Sequence, residues 1–248
     1  MASKEQVIKV RNLVAQYGEK VILDDVSVDI FPGEVTVILG GSGCGKTTLL
    51  RNILRLQEPH SGKVEIFGKN VIGMDDEEFE QILRRIGMLF QNGALLNSIS
   101  LYDNVSIPLE MHTELTEELM DRIIRVKLHL VNLDHAAELL PSELSGGMRK
   151  RAALARALAL DPEILFCDEP SAGLDPLTSE SLDELILKLK KQLNMTIVIV
   201  THELASIHRV ADRIIFLSEG KMLFQGTLED GLKAGVPEID TFFSVGKF

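Results

Sequence analysis

The chain alternates between two patterns of apolar positions. Short runs rich in valine and isoleucine are typical of buried strands, and longer segments with apolar residues every three to four positions are typical of amphipathic helices. Strands are predicted at residues 7–14, 21–30, 35–39, 63–66, 86–90, 164–167, 196–200, 214–217 and 222–225. Helices are predicted to follow Gly45, Asp75, Thr116, Gly146, Pro176 and Glu203.

The order of these elements predicts an α/β fold. Strands and helices alternate in the C-terminal half, which favours a parallel sheet covered by helices. Several strands precede the first helix, so we expect an N-terminal antiparallel β subdomain. Residues 92–160 show almost no strand signal and indicate an inserted helical subdomain. We therefore expect one domain over residues 1–248, with 1–91 and 161–248 forming the core.

Composition excludes several classes of protein. The 248 residues are 45% hydrophobic and 25% charged, which is ordinary for a soluble globular domain. The net charge of −11 disfavours a nucleic-acid partner. No apolar run reaches the length of a membrane span, and the N-terminus lacks the apolar core of a signal peptide. The only cysteines, Cys44 and Cys167, form no disulfide framework, so we expect a reducing cytosol.

A glycine-rich segment between a predicted strand and a helix has the pattern G-x4-G-K-T. Glycines let backbone N–H groups converge on phosphate oxygens, and a helix N-terminus favours an anion. Lys46 is expected to reach the β- and γ-phosphates, and the Thr47 hydroxyl to reach Mg²⁺. The predicted nucleotide-binding residues are Gly40, Gly41, Ser42, Gly43, Cys44, Gly45, Lys46, Thr47 and Thr48. A glycine-rich turn without a ligand is the alternative, which the flanking strand and helix disfavour.

Two carboxylates follow the buried strand 164–167. Ligands of open α/β sheets bind at the carboxyl ends of strands, so Asp168 is placed to hold Mg²⁺. Glu169 is one residue further and is expected to polarise the attacking water. Such a pair alone is more often a surface turn, but the phosphate loop upstream favours the catalytic interpretation.

The segment LSGGMRKR begins a helix in an unusual way. Its first turn carries Arg149, Lys150 and Arg151, although positive charge is unfavourable at a helix N-terminus. The preceding glycines leave bare N–H groups there, so we expect an anion at this helix end. The alternative is an ordinary helix capped by Ser145, which does not explain the glycines. The three basic side chains are expected on the helix flank, facing solvent or acidic partners.

The order and spacing of these motifs resemble those of the ATP-binding-cassette (ABC) ATPases over nearly the whole chain. Its LSGGQ signature stands here as LSGGM at 144–148, between Walker A at 40–47 and Walker B at 164–169. A Q-loop Gln91, a D-loop at 171–175 and a switch His202 complete the set. The resemblance implies a P-loop NTPase fold with a RecA-like mixed or parallel sheet, and ATP and Mg²⁺ as cofactors.

The resemblance also implies a role for each residue at the chemical step. Glu169, His202 and Gln91 would be catalytic, with His202 contacting the γ-phosphate and Gln91 contacting the attacking water. The metal ligands would be Thr47, Gln91 and Asp168.

Cassettes of this family work in pairs, and this chain carries a single motif set, so the resemblance implies a homodimer with ATP sandwiched between two copies. Ser145, Gly146 and Gly147 would bind the γ-phosphate held by the second copy, with the Ser145 hydroxyl and the Gly147 N–H as direct donors. Asp175 would reach the opposing phosphate loop, and Tyr17 would stack on adenine.

A finer resemblance is to the ATPases of the MCE-type (Mla) lipid-transport systems, carried by FQNGAL at 90–95, PLEMHT at 108–113 and KRAALARA at 150–157. It implies integral membrane permease subunits, and an MCE-domain protein and a small regulatory subunit as further partners. The chain would then be peripheral, at the cytoplasmic face of the inner membrane. The permease would contact the apolar segment after Gln91; alternatively Leu95, Leu96 and Ile99 pack inside the helical subdomain.

Other interpretations remain open. The chain could serve another ABC importer, for example of amino acids, or act as a soluble ABC ATPase without a transport role. A GTPase or small kinase would share the phosphate loop, but no NKxD-like guanine-binding motif is present.

Overall fold

A computed structural model describes residues 5–244. The chain forms two compact units, of which the first runs to Ile82 and resumes at Val198, and the second is Leu83–Ile197. The strands are β1 (Ile8–Tyr17), β2 (Lys20–Ile30), β3 (Val35–Gly40), β4 (Ser61–Ile66), β5 (Lys69–Asn70), β6 (Ile86–Leu89), β7 (Ile164–Asp168), β8 (Thr196–Val200), β9 (Arg213–Ser218) and β10 (Lys221–Thr227). The helices are α1 (Lys46–Ile53), α2 (Asp76–Leu83), α3 (Leu101–His112), α4 (Glu117–Leu130), α5 (Gly146–Ala157), α6 (Pro176–Leu193), α7 (Leu204–Val210), α8 (Leu228–Leu232) and α9 (Pro237–Ser244).

The first unit contains the antiparallel sheet that the early strands predict, in the order β2-β1-β4-β5. β1 pairs with β2 from Ile8 opposite Ile30 to Tyr17 opposite Lys20, and Gly18 turns the hairpin with a φ of 60°. Every second residue near the start of β1 is buried, as expected of a strand with one face on the core.

A mixed set of strands in the same unit positions the phosphate loop. β9 pairs parallel to β3 and antiparallel to β10. All six residues of β3 are buried, including the polar Thr36, as expected of a strand that is covered on both faces. The loop from Gly41 to Gly45 therefore leaves the carboxyl end of a fully buried strand, the end where ligands of α/β sheets bind.

The second unit combines the parallel pair β6–β7 with helices. The segment 92–160 forms α3, α4, α5 and two 3₁₀ turns and contains no strand, as the missing strand signal predicts. α3 was not among the predicted helices, because Pro108 within it interrupts a helical pattern. The residue that marks its start is Ser100, which forms a capping box with Asp103.

Candidate functional site

The phosphate loop has a backbone that only glycine allows at its two ends. A Cβ atom on Gly40 would lie 2.1 Å from the carbonyl oxygen of Leu217, and one on Gly45 would lie 2.5 Å from Cδ2 of Leu23. Both residues also have positive φ angles, 146° and 107°. Between them Gly41, Ser42 and Gly43 are exposed, so the outer side of the loop is accessible to a ligand.

The N-terminus of α1 in this loop has the local chemistry that favours an anion. Gly45 precedes the helix without a side-chain cap, and the first turn contains no acidic residue. Its N–H groups and the positive end of the helix dipole therefore favour a negatively charged ligand. The buried ammonium of Lys46 donates to the carbonyl oxygens of Gly40 and Gly41, each at 2.9 Å, which holds a cation in the loop. Thr47 and Thr48 follow in the first turn.

Cys44 turns inward rather than towards the open side of the loop. Its side chain is 6% exposed, and its Sγ lies 3.9 Å from the Lys46 ammonium, which donates to it. Its carbonyl oxygen accepts the N–H of Gly220 at 3.3 Å. A bulky group on this sulfur would therefore disturb both the lysine and the loop backbone.

Two further predicted residues lie in the first unit. His202 is exposed, and the N–H of the preceding Thr201 donates to Ile38 O at 3.3 Å. This bond places the backbone of Thr201, which precedes His202, beside Ile38, two residues before β3 ends. Tyr17 is 49% exposed, and its hydroxyl donates to Oε1 of Gln57 at 2.6 Å. Its stacking on adenine stays a prediction.

The second unit holds the predicted metal and hydrolysis carboxylates. Asp168 ends β7, and Glu169 follows with a φ of 48°, which is unusual for a residue other than glycine or asparagine. The carbonyl oxygen of Glu169 accepts the Ala172 N–H at 3.2 Å and the Lys150 ammonium at 3.2 Å. The same ammonium donates to the carbonyl oxygen of Gln91, which follows β6.

The signature segment forms an N-capped helix start. Ser145 Oγ accepts the Met148 N–H at 3.2 Å, so Ser145 has the capping role that the sequence left as an alternative. Gly147 has a packing reason as well, because a Cβ atom there would lie 2.5 Å from Cγ2 of Thr178. The same test puts a Cβ on Gly146 3.4 Å from Leu174 Cδ2, an ordinary contact.

The predicted surroundings of the basic residues were wrong for Lys150. Lys150 is buried, and Arg149 and Arg151 donate to the carbonyl oxygens of Leu144 and Val131 instead of to acidic groups. Burial lowers the pKa of Lys150, and the nearby Cys167, Glu169 and Asp168 partly oppose that shift. The error arose because the side of α5 that carries Lys150 faces loops of its own unit and not solvent.

Asp175 caps α6 in this chain. Its Oδ1 accepts the N–H groups of Leu177 and Thr178 at 3.1 Å, and its Oδ2 accepts the Thr178 hydroxyl. These hydrogen bonds, led by that of the Thr178 side chain, lower the pKa of the carboxyl group. The predicted contact of Asp175 with a second copy stays a prediction.

The sequence pattern of the ABC transporter family matches residues 23–172, more than half of the chain. The chain belongs to the ABC transporter family. Family membership confirms the prediction of an ATP-hydrolysing subunit. The match also spans the phosphate loop, the signature segment and the two carboxylates, which the structure places in two different units.

Relatives of this ABC ATPase cover nearly its whole length. The intermembrane phospholipid transport system ATP-binding protein MlaF of Haemophilus influenzae is 40% identical over 93% of this chain and 87% of its own. The MlaF protein of Escherichia coli K12 is 39% identical over 92% and 84%. The probable ribonucleotide transport ATP-binding protein mkl of Mycobacterium leprae is 40% identical over 96% and 68%.

Solved structures confirm the predicted α/β cassette fold. cbiO1 from Clostridium perfringens, part of the ABC transporter complex cbiONQ, matches with a TM-score of 0.84 and 28% identity over 98% of this chain and 96% of that one. The dimeric cassette MJ0796 in a post-hydrolysis state with ADP and Pi matches with a TM-score of 0.81 and 33% identity over 89% and 98%.

Mg²⁺ fits the donor set of this ABC ATPase together with phosphate and water oxygens. Within residues 5–244, no three His, Cys, Asp or Glu side chains form a group that could hold a metal ion by themselves. Nucleotide sites bind Mg²⁺ through one or two carboxylates plus the phosphates and several waters. The predicted ligands, Thr47, Gln91 and Asp168, supply hard oxygen donors of this kind.

The apolar residues after Gln91 were expected either to contact a permease or to pack inside the helical subdomain, and they differ in exposure. Leu96 is 51% exposed, whereas Leu95 and Ile99 are half-buried. Met111, at the end of α3, is 70% exposed. None of the helices in residues 5–244 combines the length and hydrophobicity that a membrane span requires.

Proposed function

We propose that this chain is the ATP-hydrolysing subunit of an MCE-type system that moves phospholipids between membranes. The observation that carries the proposal is the similarity to phospholipid transport ATP-binding proteins over nearly the whole of both chains. Motif segments FQNGAL and PLEMHT support the same assignment. A dedicated transport ATPase binds no nucleic acid, in keeping with the negative net charge.

Ribonucleotide transport is the second candidate function. A mycobacterial protein with that name is as similar in sequence as the phospholipid proteins are, although this chain spans a smaller share of it. Both candidates use the same ATPase chemistry and differ in the cargo, which the permease subunits and not this chain would contact.

In the proposed reaction, the phosphate loop binds and orients ATP. Lys46 releases its two carbonyl partners to reach the β- and γ-phosphates, and the N–H groups of the loop hold the remaining phosphate charge. Tyr17 stacks on the adenine ring. The exposed outer side of the loop supports this assignment, because a nucleotide can approach it without displacing protein.

Glu169 then accepts a hydrogen bond from water and polarises it for attack on the γ-phosphate, while His202 and Gln91 orient the phosphate and the water. Thr47, Gln91 and Asp168 would hold Mg²⁺, which when bound neutralises developing phosphate charge. Positioning and charge stabilisation supply most of the rate in this kind of reaction.

Two copies complete each other's sites in this proposal. One copy holds ATP in its phosphate loop, and the partner's signature segment, at Ser145, Gly146 and Gly147, closes over the γ-phosphate. Asp175 contacts the opposing loop. The dimeric structure of a similar cassette and the anion-favouring start of α5 support this arrangement.

The remaining partners are membrane components. Integral permease subunits receive the force of dimer closure, through a surface that includes Leu96 and Met111, and the chain sits peripherally at the cytoplasmic face of the inner membrane. An MCE-domain protein and a small regulatory subunit complete the proposed system.

The proposed chemistry is tested with Glu169→Gln. We expect the rate of hydrolysis to fall about 100- to 10,000-fold, the range for loss of a general base. ATP should still bind, and the variant saturated with Mg-ATP should form a stable dimer in light scattering. Glu117→Gln, an exposed change on α4, is the matched control and should hydrolyse normally. A Glu169→Gln protein that hydrolyses ATP at the normal rate, or that stays monomeric with ATP, contradicts the proposal.

The cargo is tested by purifying the chain with its membrane partners in detergent. We expect a permease and an MCE-domain protein to co-purify, and phospholipid vesicles to stimulate the ATPase activity of the reconstituted complex. Stimulation by ribonucleotides instead would favour the second candidate. Co-sedimentation with ribosomes would contradict both.

A further inference from the structure

The helix that carries the signature segment also holds the Q-loop by its backbone. Three carbonyl oxygens of that loop accept hydrogen bonds from two cationic side chains of α5. Lys150 donates to Gln91 O, and Arg156 donates to Gly93 O at 2.8 Å and to Ala94 O at 2.7 Å. The loop lies directly on the helix, because a Cβ atom on Gly93 would be 3.3 Å from that of Ala153.

Lys150 connects this loop to the hydrolysis carboxylate. Its ammonium also donates to the carbonyl oxygen of Glu169 at 3.2 Å, so one side chain bridges the backbones of Gln91 and Glu169. Glu169 has a left-handed backbone, a conformation that persists only where its surroundings hold it in place. The direction of the Glu169 side chain therefore depends on partners of its own peptide groups.

Keeping a charge at this position is costly for the fold. Lys150 is 7% exposed, so its ammonium group is largely removed from water. Buried ammonium groups are destabilising unless they are well paired, and an apolar side chain of similar volume is often tolerated better. Stability alone does not explain a lysine at this position. A need to hold the backbones of Gln91 and Glu169 in place does explain it.

We propose that Lys150 is a positioning residue for ATP hydrolysis, through which the signature helix fixes the backbones of Gln91 and Glu169. The inference rests on the proposed function, in which those two side chains act on the attacking water. Through Lys150, the signature helix is connected directly to the loops of Gln91 and Glu169 in the same copy. Engagement of the signature segment by a partner's nucleotide is thereby transmitted to Gln91 and Glu169.

The test compares kcat with KM for ATP in Lys150→Met, which keeps the length of the side chain and removes its donors and charge. We expect kcat to fall about 10- to 100-fold, the effect of a misplaced reacting group. KM should change less than about twofold, because ATP is expected to bind mainly through the phosphate loop, a separate segment of the chain. Lys150→Arg, which keeps donors and charge, should restore most of kcat.

Lys127→Met is the matched control. Lys127 is another buried lysine of the same unit, and it donates to Asp161, outside the two catalytic loops. We expect this variant to lose thermal stability and keep the wild-type kcat per folded molecule. Equal losses of kcat in Lys127→Met and Lys150→Met would overturn the inference, since both would then reflect general destabilisation.

Failure of this inference is distinguishable from failure of the proposed function. Wild-type kcat in Lys150→Met together with an inactive Glu169→Gln overturns the positioning role alone. Normal hydrolysis by Glu169→Gln overturns the catalytic assignment and this inference with it. If Lys150→Met does not fold, Lys150→Leu, which also lacks donors and charge, replaces it, and a lowered kcat at unchanged KM supports the inference while a wild-type kcat overturns it.

Discussion

At the residue scale, the two cysteines have different chemical environments. Cys167 is completely buried in β7, and burial raises the pKa of its thiol to about 12. Since the thiolate is the reactive form, Cys167 is inert at neutral pH. Cys44 is 6% exposed, but the neighbouring residues 41–43 are exposed, so we expect local opening of the loop to make its sulfur accessible to a reagent.

We therefore expect a maleimide at pH 7 to modify Cys44 in the native protein and to spare Cys167. Modification should abolish ATP binding, because the adduct disturbs Lys46 and the loop backbone, and Mg-ATP should slow it. Mass spectrometry of the labelled peptides and an ATP-binding assay check both points. Cys44→Ser is the control and should remain active in the presence of the reagent. Full modification of Cys44 with unchanged ATPase activity would contradict this prediction.

At the element scale, the N-terminus of α5 has two distinct roles. Its first N–H groups face a ligand in the proposed dimer, and its glycines let it approach α6 closely. In the isolated chain Gly147 allows the close packing, because only a hydrogen atom fits between α5 and the Thr178 methyl group. A glycine in a signature motif can thus be required for packing and for ligand approach together.

Gly147→Ala should lower the free energy of unfolding by about 1–3 kcal/mol, the usual range for overpacking. Thr178→Ser removes the clashing Cγ2 and keeps the hydroxyl that donates to Asp175, so the double variant should recover most of that loss. Denaturant unfolding of the single and double variants measures this coupling. Gly146→Ala is the control, since its added Cβ makes only an ordinary contact of 3.4 Å. Equal destabilisation of the two single variants would show that the contact with Thr178 is not the cause.

At the scale of the whole molecule, two exposed apolar residues follow the Q-loop along the chain. Leu96 and Met111 both belong to the second unit and are more than half exposed. Exposed apolar surface of this kind marks sites of interaction with other proteins. Both residues follow the Q-loop along the chain, and we propose them as contacts of the permease.

We expect Leu96→Asp and Met111→Asp to reduce co-purification with the permease about 10-fold or more, because each puts a charge into an apolar contact. ATP binding by the isolated chain should not change, since neither residue belongs to the nucleotide motifs. Leu223→Asp, an exposed apolar position on β10 in the first unit, is the control and should keep the permease. Permease recovery at the wild-type level from both variants would place the interface elsewhere.

Much of this molecule could be predicted from local sequence. The phosphate loop, the strand ends with Asp168 and Glu169, and the signature segment are contiguous, and their glycine spacing and apolar flanks determine their local structure. Strand and helix predictions were confirmed wherever periodicity was unbroken. They missed α3, which contains Pro108 and begins at a capping box, the C-terminal helix α9, and the short elements β5 and α8.

Only the tertiary structure decided which partners these residues have. Lys150 shares its helical face with Ala153 and Ala157, so the sequence contained a hint of its burial. No sequence pattern identifies its acceptors, the carbonyl oxygens of Gln91 and Glu169, which are 59 and 19 positions away. The same is true of Thr178 beneath Gly147 and of Leu217 beside Gly40. Local sequence determines which backbone shapes and charges are available, because those depend on neighbours along the chain. Which groups then meet depends on packing between distant segments, and that is decided only when the chain folds.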